Sequence, residues 1–412
     1  MNKIKNLTLD NGLKVVLIKN SKVHRSSAYI KVDVGSNDIS YKSDDKIINI
    51  IPGLQHFTEH LVIEHSKYGN SLKLFGDNFV DSNGATSRNI TYFYISTVHD
   101  FMEYLEKLIY VVNGFIDDDK AFDDVKVPIY SEIDRANDNP NRLLYNKILE
   151  SSLYTCYTDT LGTKESVKGI SLDDFKMFYD TFYQPSNETL FIVGSFKEKE
   201  VLELINKTFN NIKRNYHRFI KYQGEEKPNI KYLKTEVIDT YLPEVLAITY
   251  KLDIRDMDKY DREKLEYYLQ FYISDLFGET SDCYKEIIKN NYSNYSFSYN
   301  NLFDIVDGFA LINLSIPTKE FDSVINLISE CINSYKINDD HFNLFKNRCL
   351  INYINGEDNI NNVFSNYWNR TNVFKINEIK GIDWYKDRNI TECRTFIKNI
   401  KFDNIGIVIR KK

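Results

Sequence analysis

The chain has 412 residues, 42% of them hydrophobic and 27% charged, with a formal net charge of −6. That length allows two or three domains with real cores, and so mild an acidic balance gives no electrostatic reason to expect nucleic acid or an anionic membrane as a partner. The five cysteines form no CxxC, which argues against a disulfide framework or a cysteine zinc site and for a reducing compartment.

The opening MNKIKNLTLDNGLKVVLI runs at once into a strand-like pattern, so neither a signal nor a transit peptide is expected. No run approaches the roughly 18 apolar residues of a membrane span, and a cytoplasmic protein is the expectation. KVVLI (14–18) and SAYIKVDV (27–34) look like strands, with a short helix around 53–66 after them. ATSRNITYFYISTV (85–98) alternates polar and apolar residues and is a strand or hairpin. Phe101, Leu105, Leu108 and Val112 recur at helical spacing, as do Val125, Ile129 and Ile133. Pro128 lies inside the second series and should kink it. A helix around 171–182 and the buried strand TLFIVGSF (189–196) close the first half.

The second half repeats that order. VLAITYKL (245–252) is a strand, 262–277 a helix, and 293–300 and 308–316 strands; helices follow in 319–356 and 389–398, and NIGIVIR (404–410) is the last strand. The expectation is two homologous α+β domains, each a mainly antiparallel sheet covered by helices. They span 1–212 and 235–412, joined by a polar linker at 213–234 that contains Gly224 and Pro228. The basic stretch 213–221 within it reads as a solvated connector.

IPGLQHFTEHLVIEH (51–65) carries three of the seven histidines. His56, Glu59 and His60 form H-x-x-E-H. On a helix, positions four apart share a face, so the two imidazoles can converge on one ion. Zinc accepts such ligands and, in catalytic sites, keeps a position for water. Glu59 lies between them, placed to take a proton from that water; as a ligand it could not act as the base. A helix with incidental histidines is the bland alternative. Glu64, four residues after His60, could complete a ligand set, while His65 reads as a surface or helix-end residue. Glu132 is the best downstream third ligand, because it falls on the apolar stripe of its helix and a buried carboxylate is costly unless paired or metal-bound. Its alternative is a stripe-edge position reaching solvent or Arg135.

HFTEH, NGATSRNITYFY (83–94) and SEIDRANDNP (131–140) resemble the pitrilysin/insulysin family of inverted zincins, whose motif is H-x-x-E-H. TLDNGLKVVLI, LGTKESVKGIS and YQPSNETLFIVG extend the resemblance over nearly the whole chain, and the size is similar to that of mitochondrial processing peptidase subunits. The resemblance implies Zn²⁺ held by His56, His60 and Glu132, with Glu59 activating water. It implies that an extended peptide substrate adds to the NGATS strand, nearest Asn83, Ala85 and Thr86. Two departures stand out. The family's second acid, two turns before the third ligand, is Val125 here, with Asp124 adjacent. Of the arginine–tyrosine pair that binds substrate in the second half, Tyr295 is present but the arginine position is Ile288. The expectation is therefore a zinc endopeptidase acting on short or unfolded peptides inside a dimeric chamber. A paralogous partner subunit would supply the missing pair, with a homodimer as the other assembly. The competing expectation is a non-catalytic structural or peptide-binding subunit. No GxxxxGK[ST], GxGxxG or GxSxG supports a nucleotide enzyme or a serine hydrolase.

Overall fold

A computed structural model describes residues 3–412 apart from 44, 45, 116–118, 156, 213, 215, 223, 239–241, 294–296, 304 and 358. The chain divides into two compact units. One comprises Met1–Asp138 with Thr158–Gly224, the other Asn139–Tyr157 with Glu225–Lys412. Both are mixed helix and sheet with mainly antiparallel pairing.

The first unit is built on a six-stranded sheet in the order Lys3–Thr8, Lys14–Lys19, Glu188–Gly194, Ser26–Val32, Thr91–Thr97, Asp81–Thr86. Only the pairing of Lys14–Lys19 with Glu188–Gly194 is parallel. Glu188–Gly194 is buried at every position, which is why its sequence is a nearly continuous apolar run rather than an alternation. Ser26–Val32 sends Ala28, Ile30 and Val32 into the core. The 85–98 region resolves as a hairpin of Asp81–Thr86 and Thr91–Thr97, and Asp81–Thr86 ends the sheet. Helix Phe101–Asn113 lays the forecast stripe of Leu105, Leu108 and Val112 into the same core.

A small second sheet pairs Ser40–Ser43 with Lys46–Asn49 and Ile220–Tyr222. The stretch expected to be a solvated connector is therefore docked on the first unit. Arg214 anchors it by donating to the carbonyls of Tyr183 at 2.8 Å and Tyr179 at 3.0 Å, and to Asp180 at 2.8 Å. A basic run looks solvated in sequence because its partners, here carbonyls at a helix end, are invisible there.

The second unit repeats the sheet order without its first strand: Lys234–Ile238, Ile405–Lys411, Val245–Asp253, Phe309–Pro317, Ser298–Leu302. The pair corresponding to Lys14–Lys19 with Glu188–Gly194, here Lys234–Ile238 with Ile405–Lys411, is again parallel. Helix Pro140–Ser152 precedes these strands by more than ninety residues in the case of Val245–Asp253, yet it packs on that strand and on Ile405–Lys411. Glu226 pins the segment behind it by accepting from the backbone N–H groups of Tyr154 and Thr155, and it pairs with the buried Lys251. The 139–157 segment thus belongs to the second unit, although it lies within the 1–212 span of the sequence reading. No described helix is long and apolar enough to cross a membrane.

Candidate metal centre

The motif helix is Leu54–Glu64. Gly53 opens it in the left-handed region, at φ +91°, where a Cβ would also lie 2.6 Å from the carbonyl oxygen of Leu161; only glycine satisfies both demands. Phe57, Leu61 and Val62 face the core, and Phe57 meets Phe122 edge-on at 5.0 Å between ring centroids. Gln55 ties the helix start to the loop before it by donating to the carbonyls of Gly35 at 3.1 Å and Asp38 at 2.9 Å. With one face fixed in this way, His56, Glu59 and His60 are set on the other.

Glu132 arrives from helix Lys126–Asn137, oriented by the buried Ile129 and Ile133. The expected kink takes another form. The helix breaks at Val125, between Asp119–Asp124 and Lys126–Asn137, and Pro128 falls in the first turn of the new helix, where a backbone N–H has no intrahelical acceptor to lose. Glu132 Oε2 lies 3.4 Å from His56 Nε2 and 3.5 Å from His60 Nε2. The three donor atoms all fall within 4.8 Å of one another. A tetrahedral ion with bonds of about 2.0–2.1 Å keeps its ligand atoms about 3.4 Å apart. The donor set, two imidazoles and one carboxylate, suits zinc and leaves one position for water. Glu132 is half-exposed rather than buried on its stripe, and its other oxygen lies 3.8 Å from the exposed Arg135, as the stripe-edge alternative expected.

Glu59 stands outside this trio. It is buried, and Oε2 accepts the Thr86 hydroxyl at 3.0 Å. Burial lifts its pKa above the ordinary carboxylate value, against the lowering effects of His60 and Thr86. For His60, burial disfavours the charge, but Glu64, Glu59 and Glu132 leave its pKa raised.

Asp81–Thr86 passes beside this group as the sheet's last strand, with Asn83 opposite Tyr94 and Ala85 opposite Tyr92. Among the described residues, its outer margin pairs with no strand of the sheet. Of the three residues expected near a peptide, Asn83 and Ala85 lie along this margin, whereas Thr86 commits its hydroxyl to Glu59. Tyr295 lies outside the described residues. Ile288 is partly exposed on helix Asp282–Lys289.

Two residues were not assigned these roles from sequence. A Cβ on Gly84 would lie 2.7 Å from Ile63 Cδ1 and 3.1 Å from Glu59 Oε1, so the strand approaches the motif helix this closely because residue 84 is glycine. A glycine inside a strand pattern is the available signal for such an approach. Glu64 is not a fourth ligand of the trio: its Oε1 lies 3.1 Å from His60 Nδ1, the ring nitrogen other than the one beside Glu132. Val125 is fully buried among apolar side chains and Asp124 is exposed, so neither supplies an acid to the site.

A family model described as the peptidase M16 inactive domain matches residues 169–348, a span that begins beyond Glu132. The chain is 26% identical over 344 residues, 80% of its length and 79% of the relative's, to the uncharacterized zinc protease YmfH of Bacillus subtilis. It is 27% identical over 267 residues, 61% of its length and 57% of the relative's, to the zinc protease PqqE of Helicobacter pylori. Among solved structures, a protein described as M16-like from Alicyclobacillus acidocaldarius superposes with a TM-score of 0.84 at 19% identity, covering 99% of this chain and 98% of that one. A protease from Helicobacter pylori superposes with a TM-score of 0.81 at 19% identity, covering 100% of both chains; these likenesses speak to the fold.

Proposed function

The chain belongs to the M16 (pitrilysin) family of peptidases, and from that premise we propose that it is a zinc-dependent endopeptidase that hydrolyses short or unfolded peptides. The observation that carries this reading is the position of Glu132 Oε2, 3.4 Å from His56 Nε2 and 3.5 Å from His60 Nε2, with Glu59 outside the trio and beside it. Bound there, zinc would supply a Lewis acid and a water whose pKa falls to about 7.

The chain's own residues would do the following. Glu59, made more basic by burial, takes the proton of the attacking water and returns it to the leaving amine. The Thr86 hydroxyl holds the Glu59 carboxylate in place. The open margin of Asp81–Thr86 binds an extended peptide by backbone hydrogen bonds, which selects for unfolded chain more than for sequence. A second reading, a non-catalytic subunit, is favoured by one observation: the matched family model is of the inactive type. That model covers the part of the chain without the motif, so it leaves the motif's own chemistry open to test.

Metal content and peptide cleavage of wild type and Glu59→Gln separate the two. Retained zinc with cleavage reduced by about 10²–10⁴-fold is expected. Cleavage that survives the substitution removes Glu59 from the mechanism, and a zinc-loaded wild type that cleaves nothing, with or without a partner chain, favours the non-catalytic reading. Ile288 at the position where the resemblance calls for arginine leads us to place this chain as the zinc-bearing half of a heterodimer. A stable homodimer that cleaves at full rate without any partner would end that part of the reading.

A further inference from the structure

We propose that Glu64 is a positioning residue for the metal centre: it holds His60 in the orientation and tautomer that present Nε2 to the ion. This rests on the zinc-peptidase reading above. His56, His60 and Glu64 succeed one another at intervals of four on a single helix, so they form one column on its surface. The His60 ring is gripped at both ends. Nε2 lies 3.5 Å from Glu132, and Nδ1 lies 3.1 Å from Glu64 Oε1. A neutral imidazole carries one proton. A carboxylate on Nδ1 places that proton there and leaves the Nε2 lone pair for a metal, as carboxylate partners of metal-bound histidines do generally.

Two further observations favour this role over an incidental helix-surface pair. Glu64 is the last residue of its helix, and no basic residue shares that last turn. A carboxylate there opposes the helix dipole, so helix stability alone gives no reason for it. The position two turns before Glu132, where the resemblance calls for a supporting acid, is the fully buried Val125. Glu64 is a carboxylate on the motif helix itself, in contact with His60.

The test is zinc affinity, read by competition with a chromophoric chelator on the purified chain. Glu64→Ala should weaken zinc binding by about 10–100-fold. Glu64→Gln, whose amide oxygen still accepts from Nδ1, should lose less. Nitrogen NMR of the zinc-free protein should find the neutral His60 ring protonated on Nδ1 in wild type and redistributed towards Nε2 in Glu64→Ala. The inference is overturned if Glu64→Ala binds zinc within about twofold of wild type while Glu132→Ala loses it. If Glu132→Ala also keeps wild-type affinity, the metal reading itself is what fails. Thermal melts of the zinc-free variants control for folding, and loss of the dipole conflict predicts that Glu64→Ala melts no lower than wild type.

Discussion

Substituting Gly84 by alanine tests how the edge strand serves Glu59. The added Cβ would sit 2.7 Å from Ile63 Cδ1, 3.0 Å from Phe93 Cδ1 and 3.1 Å from Glu59 Oε1. Carbon atoms pack at about 3.5–4.0 Å, so the shortfall against Ile63 is about 1 Å. Ile63 and Phe93 are both buried in the core, which leaves retreat of the strand as the main relief. Overpacking of this size costs about 1–3 kcal/mol of stability. The larger effect should be on catalysis, because the moving strand carries Thr86, whose hydroxyl holds Glu59 at 3.0 Å. A displacement near 1 Å at such a site lowers the rate by about 10²-fold. His56, His60 and Glu132 are not on this strand, so zinc content should be unchanged. The measurement is kcat/KM on an unstructured peptide alongside metal content and a thermal melt. Full activity in a folded Gly84→Ala protein would refute the reasoning, as would activity lost only in proportion to zinc.

Glu188 sets a pH dependence of stability. It is fully buried, and burial pushes its pKa from 4.5 up to about 7, against lowering by the Asn113 amide and Arg214. The folded state therefore holds this proton more tightly than the unfolded state. The carboxyl costs nothing below about pH 4.5, and stability falls as pH rises towards about 7 and then levels, by at most about 3 kcal/mol. Glu188→Gln should flatten that slope in denaturant titrations run from pH 4.5 to 8; an unchanged slope would remove Glu188 as its source. In the second unit Arg370 meets Glu263 through two hydrogen bonds, 2.7 and 3.0 Å long, with Lys380 3.2 Å from the same carboxylate. Arg370→Ala leaves a buried carboxylate short of a partner and should cost about 3–5 kcal/mol. Denaturant unfolding measures it, and a loss below about 1 kcal/mol would mean that Lys380 suffices.

What could be read from sequence was what depends on short spacing. His56 and His60 share a face because they are four apart, and the fold brings their Nε2 atoms to the same carboxylate oxygen. Glu132 shows in the sequence as an acid on an apolar stripe, and it reaches the histidines from more than seventy residues away. Glu64 shows the limit of the same logic. Spacing places it near His60 but cannot say which ring nitrogen it meets, and that choice separates a ligand from an orienting partner. Helix Pro140–Ser152 buries Leu144, Ile148 and Leu149, yet its own sequence does not say against which sheet. Strand Lys234–Ile238 has only Val237 and Ile238 as apolar residues; as the last strand of its sheet it needs no continuous apolar run, so its pattern is faint.

The repeat also separates what the fold requires from what the chemistry requires. In each unit the last strand of the main sheet lies in parallel beside the first strand of the shared order, and the remaining strands of that sheet pair antiparallel. A parallel pairing needs a long crossover, and in the first unit that crossover contains both the motif helix and Glu132. The second unit builds the same sheet order, and among the described residues the cluster of potential ligands is His56, His60 and Glu132 alone. The sheet therefore forms by hydrophobic burial without any such trio. In the first unit, the Glu132 carboxylate stands against two imidazoles next to the buried Glu59, a concentration of polar groups that a core does not need and that is costly to bury. The architecture can do without such an arrangement, which sits beside the sheet's edge strand, so the proposed zinc-peptidase reading rests on the residues of the first unit rather than on the fold.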